Sequence, residues 1–228
     1  MSGQLPDRGV GLGIIINNEE RLMVAIVDYG SGNLRSVSNA VARLGYTATV
    51  TSSPPDLLEA RAVILPGVGA GGDTMRQLEK RGMSPVIRQL IADGRPLLAI
   101  CVGMQVLLDR TEEGDGHDCF GFIPGTVRRL PAGLKVPHMG WNQVHQRVPH
   151  ALYQGIPDGA YFYFIHSYYA DPVDASVIAG ETEYGVNMCS VVIRGNLVAT
   201  QFHPEKSGSH GLRMLGNFLW MALGNSTF

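Results

Sequence analysis

Apolar residues along this chain come first in short unbroken runs and later in alternation. Residues 23–27, 62–65 and 97–101 are nearly continuous apolar stretches, each leading into a glycine-rich segment. Runs of this kind read as strands buried on both faces, as in a parallel sheet. Between the first two, Leu34, Val37, Val41 and Leu44 recur at helical spacing, Gly45 offers a stop, and residues 46–50 read as a second strand. Helical patterns follow at 74–79 and 84–92. Asp93-Gly94 turns the chain, Pro96 opens the strand at 97–101, and residues 103–108 read as the start of a helix. This alternation predicts an α/β fold, a doubly wound sheet with a parallel core and helices on both faces.

Beyond about residue 120 the pattern changes. Short β-like runs at 125–130, 139–144, 161–167, 176–179, 188–193 and 197–201 are separated by turn residues, which predicts antiparallel additions in the C-terminal half. Residues 208–223 close the chain as a helix, with Leu212, Leu215, Leu219 and Trp220 expected on one face. Residues 1–20 read as a polar-ended extension, and 21–228 as one domain without internal repeat or linker. In such sheets ligands bind beyond the carboxyl ends of the strands. The glycine-rich stretches after Val27, Leu65 and Ile100 mark that edge.

Composition narrows the classes. Of 228 residues 45% are hydrophobic and 17% charged, an ordinary globular balance. Eighteen Lys and Arg against 20 Asp and Glu give a formal charge of −2, which argues against a basic nucleic-acid binder. No apolar run approaches the roughly 20 residues of a membrane span, so no membrane association is expected. The first residues lack the pattern of an export signal. Three cysteines, an odd number, then point to reduced thiols in a cytoplasm and not to a disulfide framework.

One of those cysteines has a distinctive setting. Residues 97–101 run as a strand into Cys101, followed by Val102, Gly103 and a helix-like stretch. This is the layout of a nucleophile elbow, in which a strained turn exposes the side chain above the sheet. A helix N-terminus there favours an anion, and the Val102 amide is placed to donate to an oxyanion. A lone cysteine is commonly core packing; the strand–Cys–x–Gly–helix context points to a nucleophile. Cys119 and Cys189 lack that context and read as structural. A thiol nucleophile needs a base and a group that orients the base. His203, in Gln201-Phe202-His203-Pro204-Glu205-Lys206, directly follows a strand. Pro204 pushes His203 to an extended conformation, and residues two apart in an extended chain share a side, which brings Glu205 beside the imidazole. Pro66-Gly67-Val68-Gly69 ends another strand and can present amides either to an oxyanion or to phosphate. His138, His145, His150 and His166 show no metal-ligand spacing and read as structural or loop residues, with His166 alternatively lining the partner-facing side of the site; no metal or other cofactor is expected.

Taken with Asp28-Tyr29-Gly30-Ser31-Gly32-Asn33, Pro137-His138-Met139-Gly140-Trp141-Asn142 and Phe164-Ile165-His166-Ser167-Tyr168-Tyr169, these segments resemble the class I (triad) glutamine amidotransferases. Within that class they are similar to the glutaminase subunits of imidazole glycerol phosphate synthases. The resemblance covers about residues 22–224 and implies a flavodoxin-like architecture. It implies L-glutamine as substrate, a glutamyl thioester on Cys101, and His203 and Glu205 completing a triad. Val68, Gly69 and Val102 match the oxyanion site. Gly67, Gln105, Glu113, Ser167 and Tyr168 match positions that hold the amino-acid part of the substrate. The partner it implies is a (β/α)8-barrel cyclase subunit in a heterodimer. The barrel would receive the ammonia and form imidazole glycerol phosphate and a carboxamide nucleotide in histidine biosynthesis. Asn33, Trp141 and Tyr163 would lie near that interface, although Trp141 and the strand around Tyr163 equally suit a core. Two positions depart from the family pattern: Ala99 stands where glycine is usual, and Val102 where leucine is usual. Other glutaminase subunits of the class, a cysteine hydrolase of similar fold, and a non-enzymatic module that has kept the fold are the competing readings.

Overall fold

The computed structural model describes residues 24–30 and 32–224. The expected extension at 1–20, Met23 at the head of the first strand, and Ser31 lie outside the described residues. Along the chain come β1 (Val24–Val27), α1 (Leu34–Arg43), β2 (Ala48–Thr51), α2 (Pro54–Glu59), β3 (Ala62–Gly67), α3 (Gly71–Lys80), α4 (Met83–Ala92), β4 (Leu97–Cys101) and α5 (Val102–Gln105). There follow β5 (Leu108–Thr111), β6 (His117–Asp118), β7 (Ile123–Arg129), β8 (His138–Gln146), β9 (Ala160–His166), β10 (Tyr168–Pro172), β11 (Ile178–Glu183), β12 (Asn187–Arg194), β13 (Leu197–Thr200) and α6 (Gly208–Leu223).

The parallel core has the order β2-β1-β3-β4-β13. Every residue of β1, β3, β4 and β13 is buried, which is why their sequences are unbroken apolar runs. Each Val, Leu or Ile so buried contributes about 1.5–3 kcal/mol. The chain moves one way from β1 to β2 and the other way from β3 to β4. With right-handed crossovers this sets α1 on one face and α3 and α4 on the other. Accordingly α1 packs on α6, while α2 and α3 pack on α4. Antiparallel strands extend the sheet from β13 through β12, β10 and β7. β11 branches from β12 to carry the β8–β9 ribbon. No helix among the described residues is long and apolar enough to cross a membrane.

Two expectations are corrected, and one element was not foreseen. The helix after Gly103 lasts one turn, and the chain returns to the sheet as β5. Val106, Leu107 and Leu108 are all fully buried, and three consecutive buried residues do not fit a helix with one apolar face. Trp220 is 45% exposed; the covered face of α6 is Met214, Leu215, Phe218, Leu219 and Leu223. One step past Leu219 on a helix turns a side chain about 100° off that stripe. Finally, α2 was hidden behind Pro54 and Pro55, which suit a first helical turn because its amides have no intrahelical partner.

Candidate active site

The carboxyl ends of β3, β4 and β13 lie side by side, and each delivers part of one site. β4 ends on Cys101, with φ 56° and ψ −110°, the one non-glycine residue at positive φ among the described residues. Such a conformation costs about 1–3 kcal/mol and survives only where its surroundings impose it. Here the imposing contact is a close approach of two glycines. A Cβ on Gly103 would sit 2.2 Å from the Leu65 carbonyl oxygen, and a Cβ on Gly67 would sit 2.2 Å from the Gly103 nitrogen. Only hydrogen at both positions lets the end of β3 lie against the elbow. Ala99, the departure from the family pattern, is fully buried between Leu65 and Ala199.

His203 follows β13 with φ −99° and ψ 96°, extended as its following proline requires. Its Nδ1 is 2.9 Å from Glu205 Oε1, and its ring lines the same cavity wall as the Cys101 side chain. Glu205 arrives by a different route from the extended chain expected: Pro204–Lys206 is a 3-10 turn, which folds the carboxylate back under the ring. Both side chains of the pair are almost wholly buried. Burial by itself pushes the His203 imidazolium down. The hydrogen bonds and negative charge of Cys101 and Glu205 outweigh it and lift the pKa to about 9. The ring is therefore cationic at neutral pH.

Cys101, His203, Val68, Gly69, Val102, Gln105, Glu113, Ser167 and Tyr168 line one cavity of about 290 Å³. That volume is at the low end for small-molecule sites. Gly67 does not line it; its place is the close contact beneath the elbow. Glu205 stands behind His203, away from the cavity wall. Gln105 is buried, its amide nitrogen donating to the Tyr168 carbonyl at 2.7 Å and to Gln201 Oε1 at 3.1 Å. Glu113 Oε2 accepts from the Gly71 N–H at 2.7 Å, which ties the start of α3, just after the Val68–Gly69 loop, to the cavity wall. The Tyr29 side chain nearby is fully buried, and its hydroxyl has no hydrogen-bond partner among the described residues.

Three participants were not foreseen from the sequence: Gln201, the Ile165 carbonyl and Lys206. Gln201 Nε2 donates to Cys101 Sγ at 3.7 Å, and the thiol faces the Ile165 carbonyl at 3.9 Å. A polar residue two before His203 in a strand end was the available signal for Gln201. Lys206 and His166 also line the cavity. His166 Nδ1 lies 2.9 Å from the Tyr168 carbonyl and so carries the proton. Its Nε2 must then accept from His138 Nδ1 at 3.0 Å, which leaves His138 Nε2 to accept from the Asn142 amide at 3.4 Å. Burial holds His138 down at about 4 and His166 at about 3. The cavity wall beside the His203 cation is thus uncharged on this side.

Of the three residues expected at an interface, Trp141 is 54% exposed and Tyr163 half-buried, paired across β8 and β9 with their rings edge to face at 6.1 Å. The core alternative for Trp141 is excluded. Asn33 is half-buried at the N-cap of α1, but its side chain makes no capping hydrogen bond.

Comparison with known proteins gives a consistent result. The family model described as Glutamine amidotransferase class-I matches residues 25–222. The chain is 59% identical over 203 residues to the Imidazole glycerol phosphate synthase subunit HisH of Dehalococcoides mccartyi, covering 89% of this chain and 99% of that one. It is 50% identical over 201 residues to the subunit of the same name from Herpetosiphon aurantiacus, covering 88% and 95%. Among solved structures, a glutamine amidotransferase superposes with a TM-score of 0.70 at 20% identity, covering 89% of this chain and all of that one. Another, from Thermotoga maritima, gives 0.65 at 14%, covering 90% and 99%; both speak for the fold alone. The chain belongs to the class I glutamine amidotransferase family and, within it, to the group of imidazole glycerol phosphate synthase HisH subunits.

Proposed function

We propose that this enzyme hydrolyses L-glutamine to glutamate and ammonia on Cys101 and delivers the ammonia to a (β/α)8-barrel cyclase subunit bound as a heterodimer. The observation that carries the reading is the line Cys101–His203–Glu205, which opens into a cavity whose rim presents one carboxylate, Glu113, and one ammonium, Lys206. A rim of that kind suits the zwitterionic end of a free amino acid. Gln105, Ser167 and Tyr168 stand around it.

The Cys101 sulfur attacks the side-chain amide carbon, and the oxygen takes negative charge. The backbone amides of Val102 and of the Val68–Gly69 loop, residues that line the cavity, are proposed as its donors. His203, cationic at rest, gives its proton to the departing nitrogen, so ammonia leaves and a thioester remains. The ring, now neutral, takes a proton from water; the hydroxide attacks the thioester, and Cys101 is released. Glu205 holds the ring with Nδ1 protonated and supports the cation at both ends of the cycle. His166 and His138, both neutral, add no competing charge.

Trp141, Tyr163 and Asn33 are assigned to the partner face. Met139, Trp141 and Tyr161 are exposed apolar groups on the β8–β9 ribbon, and Met139 pairs with Ile165, which also lines the cavity. A contiguous apolar patch beside a catalytic cavity fits an interface that covers the ammonia exit. We place the reaction in the cytoplasm, where three unpaired thiols are stable.

The reading is tested by adding the nucleotide-bound barrel subunit to the chain and measuring ammonia release from glutamine. Strong stimulation on a one-to-one complex is expected. Equal rates with and without the barrel would refute the coupling, and turnover of peptides but not of glutamine would refute the substrate.

The pH profile offers a separate check. His203 keeps its proton below about 9 and loses it above. Because acylation needs the cation, kcat/KM for glutamine should fall about tenfold per pH unit on the alkaline side of that value. Glu205→Gln removes one of the interactions that raise His203, so its alkaline limb should move to lower pH. Superimposable limbs in the two proteins would show that the limb does not report His203.

A further inference from the structure

The aromatic pair on the ribbon and the buried His203 are linked through the backbone of Tyr163. His203 donates its backbone N–H to the Tyr163 carbonyl at 3.0 Å. The Tyr163 N–H donates to Ser207 Oγ at 2.9 Å, and that hydroxyl donates to the His203 carbonyl at 2.6 Å. Both backbone polar groups of His203 therefore end on Tyr163, one directly and one through a single hydroxyl. The loop is closed on its other side by the Lys206 N–H, which also donates to the His203 carbonyl at 3.0 Å.

Ser207 has no freedom to choose other partners. It is 2% exposed, and its own carbonyl accepts from the Gly211 N–H at 3.1 Å. The start of α6 is seated on the turn so tightly that a Cβ on Gly211 would lie 2.1 Å from the Pro204 carbonyl and 2.5 Å from the Ser207 Cβ. The neighbouring residue, Gly208, at φ 59°, lies under the ring of Trp141; a Cβ there would be 3.7 Å from the indole. Of the two aromatic groups on the ribbon, Tyr163 thus reaches the bridge through its backbone and Trp141 through the residue next to Ser207.

We infer that Ser207 is a positioning residue, a hydroxyl bridge through which occupation of the Trp141–Tyr163 face sets the place of His203 relative to Cys101. The inference rests on the partner reading given above and adds to it a route. A ligand pressing on the face moves the Tyr163 peptide or α6, and the hydroxyl passes that shift to the His203 carbonyl. Small displacements suffice, because misplacing a catalytic group by about 1 Å can cost on the order of a hundredfold in rate. The glutamine-facing residues Gln105, Glu113 and Tyr168 lie outside the bridge, and Lys206 enters it through its backbone N–H and not its ammonium, so the effect is expected on kcat and not on KM.

The test compares Ser207→Ala and Ser207→Thr with the unaltered chain, each with and without the nucleotide-bound barrel subunit. In the complex, Ser207→Ala should lower kcat by about tenfold with KM for glutamine unchanged, and Ser207→Thr, which keeps the hydroxyl, should regain most of it. A kcat within about twofold of the unaltered complex, a change in KM alone, or a Thr variant as slow as Ala at equal Tm would overturn the role. Should Ser207→Ala not fold, amide hydrogen exchange in the unaltered chain decides. Binding of the barrel should change protection of the Tyr163 and His203 amides together, and an unchanged His203 amide overturns the route. If the unaltered chain is not stimulated by the barrel at all, the partner reading itself fails, whatever Ser207 does.

Discussion

Cys101→Ala should lower ammonia release from glutamine by about four to six orders of magnitude, the scale seen when a member of a nucleophile–base unit is removed. The reason is that no other thiol can stand in. Burial pushes the Cys119 thiol up to about 11, and it pushes Cys189 further upward, so both stay protonated and weakly nucleophilic. Neither of them lines the cavity. The loss should be chemical and not structural. Cys101 is 3% exposed, its replacement by alanine removes one sulfur from a cavity wall, and the positive φ strains alanine no more than cysteine. Thermal unfolding of the variant should therefore stay within a few degrees of the parent. A glutamine-shaped electrophile should add once to the parent, at Cys101, and not to the variant. Normal turnover by Cys101→Ala, or label recovered on Cys119, would overturn the assignment of the nucleophile.

Gly103→Ala should be severely destabilising for a change of one methyl group. The added carbon would lie 2.2 Å from the Leu65 carbonyl oxygen, a backbone atom in the middle of the parallel core that cannot swing aside. Relief requires β3 and the elbow to separate, which also displaces the Val102 amide and the Cys101 side chain. Overpacking of this kind costs about 3 kcal/mol or more, which for a domain of this size lowers Tm by roughly 6–12 °C. The control is Gly45→Ala. Gly45 sits at φ 81° with nothing within 4 Å of an added Cβ, so only conformational strain opposes it, about 1–2 kcal/mol. Circular dichroism melts of the two variants read the difference. Equal Tm shifts would mean that the approach of β3 to the elbow is loose enough to admit a methyl group.

How much of this was legible beforehand follows from how local each determinant is. The buried parallel strands announced themselves because a strand covered on both faces must be apolar at every position, and β1, β3 and β4 are. The elbow was legible for a similar reason: a strand, a cysteine and a glycine two residues on are contiguous in the chain. The helix after Gly103 was misjudged because fully buried residues satisfy helix and strand alike, and what returns Leu108 to the sheet is its pairing with Ile123 in β7.

Linear order thus carried the layered architecture, the active edge and the cysteine and histidine proposed as nucleophile and base, all of which depend on neighbours a few residues apart. Three-dimensional packing settled the rest. It chose the 3-10 turn that folds Glu205 under His203, brought Gln201 and the Ile165 carbonyl to the sulfur, locked the tautomers of His138 and His166, and tied Tyr163 to His203 through Ser207. Apart from that turn, these contacts join distant segments, up to 100 residues apart for Gln201 and Cys101. Such contacts exist only after the sheet has set its strand order, and no periodicity along the chain encodes them.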